Sequence, residues 1–352
     1  MATVKPSQPL NIIMTETEPH RRVMIGQLVR IFKAPEWGLV AGIAAVLTII
    51  YFLDRDHAFY REVNIRPLLH RVALFGVLAI GAAVVIIAGG IDLSTGAVVA
   101  LSSVVSAKLM TEWLRTGGPS APPPSVALVS FAITLTLLLG LTIGLVHAIL
   151  INGLRLPPFI ATLATMAGLR SLATILCHNR TINVPFDAFR VLGKEAWVTL
   201  AIFSGAAIFM SVLMGWTVLG RHLFALGGNE MAARLSGLRT NRLKIVAYGL
   251  SGTLSALGGI LFTGNSGQAD SRLGTAYELT AITAAVVGGC SLSGGIGSIR
   301  GTVLGLLLTQ IVLKATGIVV KGIDSTQIEG LVLGTVVLLA VGFNQRFRVA
   351  RN

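Results

Sequence analysis

Three ionisable side chains stand where this chain otherwise admits apolar ones: Asp92 in "AAVVIIAGGIDLSTGAVVALSSV", Arg170 in "ATMAGLRSLA" and Glu278 in "AYELTAI". A charge among apolar spans is costly unless it faces a bundle interior and meets a polar partner, and such groups mark solute and proton routes. Arg170 and Glu278 are candidates to meet each other. Asp92 has a second reading: after Gly89 and Gly90, either it or Ser94 can accept N–H bonds at the start of the next helix, at the positive end of its dipole. The two roles are compatible. Lys108 and Lys314 lie near span ends, where snorkelling accounts for them.

Other chemistries find little support. No G-x-x-x-x-G-K-[S/T] stretch occurs, since the Gly193–Lys194 pair is followed by Glu195. No H-E-x-x-H pattern or nucleophile–base pair close in sequence points to an enzyme. Cys177 and Cys290 lie far apart in apolar segments and are read as buried thiols, so neither a metal site nor a cofactor is expected. A net charge of +13 could suggest nucleic acid, but the basic residues are spread between apolar runs without interleaved aromatics, which argues against it.

The elements that must hold these residues are membrane spans. Of 352 residues 53% are hydrophobic and 12% charged, too apolar for an ordinary soluble domain. With a span of roughly 20 apolar residues as the ruler, the fold class is all-α: a polytopic membrane protein of about ten transmembrane helices, some broken at glycine. The approximate spans are 37–53, 72–90, 95–112, 125–151, 158–178, 196–218, 245–264, 278–291, 299–317 and 327–343, the eighth too short to cross alone. Trp37, Trp113, Trp197 and Trp216 fall at span ends, where indoles favour the interface. A modest Lys/Arg excess puts both termini in the cytoplasm. Residues 1–36 form a leader whose "RRVMIGQLVRIFK" reads as an interfacial helix or a disordered tail. Residues 37–343 form one transmembrane domain, and 344–352 a basic tail.

One break is echoed. "GGIDLSTG" at 89–96 and "GGCSLSGG" at 288–295 share five residues in register, each after an "AAVV" run. Unwound backbone at membrane depth survives only where protein or a wet cavity satisfies it, and paired breaks in two halves of a chain point to a solute path. The candidate path residues are Gly89, Gly90, Asp92, Ser94, Glu278, Ser291 and Ser293. Because Ser291 stands where the first copy has Asp92, the shared element is the broken backbone, and Asp92 is read chiefly as holding the break open.

The polar interruption at 219–244 contains a short helix. Asn229 is its N-cap, Glu230 and Arg234 form an i,i+4 pair, and Gly237 weakens its end. Met231, Leu235 and Leu238 make an apolar stripe on a helix too short to stand alone, so the stripe packs on the protein's own membrane face or in a partner's groove.

Several long motifs in one order now carry a resemblance: "AGGIDLSTG", "LPPFIATLATMAGLR", "GRHLFALGGNEMAARLSGL" and "AYELTAITAAVVGGCSLSGGIGSIRGT". The chain resembles the permease subunits of bacterial ABC importers of the ribose and xylose class, which includes carriers of related sugars and autoinducer-2. The resemblance implies an inner-membrane permease that translocates a monosaccharide and pairs with a second copy. It also implies a cytoplasmic ATP-binding-cassette ATPase and an extracytoplasmic sugar-binding protein as partners, with lipid around the helices. It assigns ATPase coupling to Asn229, Glu230, Ala232, Ala233, Arg234, Leu235, Ser236, Gly237 and Leu238. The chain departs from the family at Thr95, where Val is common, and at Cys290, where Thr is common; the leader and "GGPSAPPPS" look like additions. An ion-coupled secondary transporter using Asp92 or Glu278 is the alternative, since broken helices suit that class too.

Overall fold

The computed structural model describes residues 36–114 and 123–319, with isolated helical positions at 330, 331, 334, 335 and 338. The leader, most of the Pro-rich loop, most of the tenth expected span and the basic tail lie outside the described residues.

The helices are α1 (Glu36–Leu53), α2 (Glu62–Ile87), α3 (Thr95–Lys108), α4 (Val126–Gly153), α5 (Pro158–Leu176), α6 (Asp187–Lys194), α7 (Ala196–Trp216), α8 (Val218–Gly228), α9 (Glu230–Leu235), α10 (Thr240–Ser266), α11 (Tyr277–Val287) and α12 (Ile299–Val319). Among the described residues, seven are long and apolar enough to cross a membrane: α1, α2, α4, α5, α7, α10 and α12. The third expected span is instead α3 followed by a π turn at Leu109–Trp113, and the eighth is the eleven-residue α11. Local chemistry sets several starts. Ser125 accepts the Leu128 N–H at 3.3 Å to open α4, Pro158 occupies the first position of α5, and Thr217 accepts the Gly220 N–H at 3.2 Å to separate α8 from α7.

Two expected boundaries move. Helix α2 begins ten residues early, at Glu62, taking in much of the expected loop 54–71; the His70 Nε2–Gly193 carbonyl contact at 2.7 Å ties its polar end to α6. The expected loop 219–244 is largely helical, because α8 continues the chain after the Thr217 cap.

Hydropathy does not separate centre from rim, but packing does. In α2 and α10, 89% and 72% of the apolar window is buried, against 11% in α1 and 17% in α5. The broadest helix pair is α4 with α10. Gly140 and Gly144 of α4 face α10 so closely that a Cβ on Gly144 would lie 2.1 Å from the Tyr248 carbonyl oxygen. Small residues four apart permit this backbone approach where lipid offers no hydrophobic drive between helices. The four tryptophans sit at or near helix ends and are exposed, as interfacial indoles are. A two-residue antiparallel ladder, Ile182 opposite Ala269 and Asn183 opposite Gln268, joins the segment after α5 to the end of α10.

Candidate functional site

Helix α2 ends in a Schellman turn. Gly89, at φ 84°, donates to the Ile86 carbonyl and Gly90 to the Val85 carbonyl, both at 2.9 Å. Two residues on, Asp92 is 3% exposed and carries the structure of the break. Its Oδ1 accepts from the Ser94 backbone N–H at 3.0 Å and the Ser94 hydroxyl at 2.6 Å, and its Oδ2 accepts from the Ser251 hydroxyl of α10 at 2.8 Å. Asp92 thus fixes the turn into α3 and ties it to the central helix. Ser94 itself makes no side-chain cap; it donates to the carboxylate.

Helix α11 ends the same way. Gly289, at φ 93°, donates to Val286 and Cys290 donates to Ala285, both at 2.9 Å. The cap aligns Gly89 with Gly289, not with Gly288 as the five-residue echo places it. The echo is displaced by one residue because the helix terminates where a residue must enter the left-handed region, and in the second copy the glycine after the cap takes that role. Beyond it the chain folds on its own backbone, Ser291 N–H to Ile296 O at 2.9 Å and Gly294 N–H to Ser291 O at 2.8 Å.

The two breaks touch. The Gly295 N–H donates to the Ile87 carbonyl at 2.9 Å, satisfying an end of α2 from the other half of the chain. Gly227, near the end of α8, lies on that bond: a Cβ there would fall 1.9 Å from the Ile87 oxygen and 2.6 Å from the Gly295 nitrogen. Both breaks and the segment 219–244 therefore meet at bare backbone.

A third interruption precedes α11. Residues 270–276 carry no helix, and Arg170 of α5 donates to the carbonyls of Ser271 at 2.7 Å, Leu273 at 3.1 Å and Gly274 at 3.3 Å. Arg170 does find a partner, but it is unwound backbone and not Glu278. Glu278 lies in the first turn of α11, its Oε2 buried without a hydrogen-bond partner and facing Gly96, where a Cβ would be 2.4 Å away. A cavity of about 850 Å³ lies beside the first break; Gly89, Gly90 and Ser293 line it together with Asn229, Glu230 and Arg234. Asp92, Ser94, Ser291 and Glu278 do not line it.

Helix α9 is capped at both ends. The Asn229 Oδ1 accepts the Ala232 N–H at 3.0 Å; Gly237, at φ 86°, donates to Arg234 at 3.0 Å, and Leu238 donates to Ala233 at 3.1 Å. Glu230 Oε1 receives Arg234 at 3.4 Å and, unforeseen in the sequence, Lys244 at 2.7 Å. Ala233 is buried and Leu238 packs against the core, whereas Met231 and Leu235 are 66% and 81% exposed. The apolar stripe is split, and its outer pair has no cover from the described residues. Among the described residues no cluster of His, Cys, Asp or Glu could hold a metal ion, and both cysteines are buried and free.

Residues 64–341 match the family model described as the permease component of branched-chain amino acid transport systems. The chain belongs to this permease family. The ribose import permease protein RbsC of Bacillus subtilis is 35% identical over 310 residues, covering 86% of this chain and 91% of the relative. The galactose/methyl galactoside import permease protein MglC of Salmonella typhimurium is 33% identical over 288 residues, 79% of this chain and 85% of the relative. The autoinducer 2 import system permease protein LsrC of Photorhabdus luminescens is 28% identical over 317 residues, 88% and 91%. No solved structure matches the chain.

In this permease the sequence located the two glycine-marked breaks and placed 265–277 in a loop between spans, but did not show that Arg170 closes that segment. It also missed Gly227, Ser251 and Lys244. Their partners lie between 14 and 159 residues away in the chain or are backbone atoms, which residue types do not announce.

Proposed function

We propose that this permease carries a monosaccharide, or a small polyol of similar chemistry, inward across a bacterial inner membrane. An extracytoplasmic binding protein delivers the solute, a cytoplasmic ATPase drives the cycle, and a second copy of the chain completes the translocation unit. The observation that carries the reading is the exposed Met231–Leu235 pair on a doubly capped helix, joined through α8 and Gly227 to both helix breaks. Apolar side chains presented on a rigid, polar-framed helix suit a groove on a partner. Asn229, Glu230, Ala232, Arg234, Ser236 and Gly237 frame that pair, while Ala233 and Leu238 anchor it from within. On this reading α9 and both termini lie on the cytoplasmic side. Gly89, Gly90 and Ser293 form the cavity wall of the solute path, with Asp92, Ser94 and Ser291 holding the backbone behind it and Glu278 facing Gly96.

The test is uptake into proteoliposomes holding the permease, its ATPase and its binding protein, with radiolabelled D-ribose and D-galactose. Uptake should require ATP and survive a protonophore. Leu235→Glu should lower it by at least about tenfold, the scale of a buried interface anchor, without changing the melting temperature of the purified chain. Uptake that collapses with the proton gradient, or that persists at full rate in Leu235→Glu, sinks the proposal.

A further inference from the structure

The cavity beside the first break has a wall that the residues discussed so far do not explain. Asn152 near the end of α4, Asn241 at the start of α10 and Tyr248 within α10 all contribute to it. Asn152 Oδ1 is buried and has no hydrogen-bond partner, and Tyr248 Oη is buried beside the Ile91 backbone N–H, with no acceptor for its own proton. The Asn152 amide nitrogen donates to the Asn241 carbonyl at 3.1 Å, which orients the side chain and leaves Oδ1 as a pure acceptor. The Tyr248 ring stands edge-on to His147 at 6.1 Å, and its hydroxyl lies at Gly90, where a Cβ would be 2.4 Å away. Gly90 is thus the residue that admits this hydroxyl.

A buried polar atom without a partner costs about 1–3 kcal/mol. One acceptor and one hydroxyl donor on the same wall match the hydrogen-bonding capacity of alcohol groups, which both donate and accept. The charges around the cavity are partly answered within the chain, since Glu230 receives both Lys244 and Arg234. We propose that Tyr248 and Asn152 form a weak recognition site for a neutral polyhydroxylated solute of monosaccharide size, on the α9 side of the first break. The site rests on the transport reading above and adds to it two solute contacts and the side of the break on which they act. Its position also explains how docking would reach the solute: Gly89, one residue before Gly90, packs on Gly227, where a Cβ on Gly89 would meet the Gly227 Cα at 3.2 Å.

The experiment uses the full chain in lipid nanodiscs with an Asn241→Cys reporter on the cavity wall. Asn241 is exposed, whereas Cys177 and Cys290 are buried, so a polar maleimide reads the reporter. D-ribose or D-galactose should slow labelling saturably. Tyr248→Phe and Asn152→Ala should each raise the half-protecting concentration by about tenfold, equivalent to about 1.4 kcal/mol, with unchanged melting temperature. If Tyr248→Phe does not fold, Asn152→Ala alone decides. Protection that is unaltered in a folded variant overturns the proposal, as does protection by inorganic phosphate but not by either sugar. If the assembled importer carries a sugar that gives no protection, this site is wrong and the transport reading stands. If the assembled importer carries neither sugar, the transport reading fails first.

Discussion

The breaks at 88–94 and 288–298 use one backbone device and two ways of holding it. Both end a helix in a Schellman turn with glycine in the left-handed region, at Gly89 and Gly289. The first is then locked by a buried carboxylate that takes three hydrogen bonds and reaches α10 through Ser251. The second has no carboxylate of its own; its turn closes mainly on main-chain bonds, with the Ser293 N–H on the Ser291 hydroxyl at 3.4 Å, the Cys290 thiol 3.5 Å from the Thr302 hydroxyl, the Gly295 N–H lent to α2 and, at its far end, the Ser298 hydroxyl donating to Glu36 of α1 at 2.9 Å. The difference is that the first break is tied to the central helix by its own carboxylate, whereas the second is positioned by what it touches, namely Ile87, Gly227 and, through Ser298, Glu36.

Four substitutions test that asymmetry. The largest effect is expected from Gly227→Val, because the new carbons would overlap backbone atoms of both breaks and backbone cannot step aside as a side chain can. Folded yield and uptake should both be lost. The neighbouring Gly228, which has open space around its Cβ position, is the control. Next is Asp92→Ala, which strands three buried donors at about 1–3 kcal/mol each before relaxation. The melting temperature of the purified chain should fall sharply, and Asp92→Asn should recover part of the loss. If Asp92→Ala leaves stability intact and only uptake falls, the carboxylate serves the solute and the comparison is broken.

Cys290→Ala should cost only about 1 kcal/mol, as a small buried group lost from a site held by main-chain bonds. A loss as large as that of Asp92→Ala would show that the second break is equally pinned. Gly228→Ala is the smallest change. It should be neutral or stabilising by up to about 1 kcal/mol, since alanine restricts the unfolded chain at a position of ordinary helical φ.

Much of this was legible in residue order, and the failures have causes. The Asn229 cap and the Glu230–Arg234 pair were readable because both act within one turn of helix. The glycine echo announced that two helices break alike but misplaced the register by one, since sequence matches count residue types whereas a cap counts positions from the helix end. The lone charges singled out Arg170 and Glu278 as candidates to meet each other, but residue types do not announce that the Arg170 hydrogen bonds go to carbonyls that an unwound segment leaves free. The Gly140–Gly144 spacing was visible in the sequence, but its meaning depended on α10 lying against it.

What the sequence determined by itself is what sums locally: the membrane as solvent, the long apolar helices, the short capped α9 and the glycines at which helices stop. Transfer free energy, caps and left-handed turns depend on near neighbours in the chain, so they can be read in order. Tertiary structure alone decided which apolar helices are central, that Asp92 answers to Ser251, that Gly227 sits on the Ile87–Gly295 bond and that Arg170 closes the segment between α10 and α11. Each of those is a meeting of segments distant in the chain at backbone separations only glycine permits or through donors only burial makes obligatory, and no local pattern specifies who the partner is.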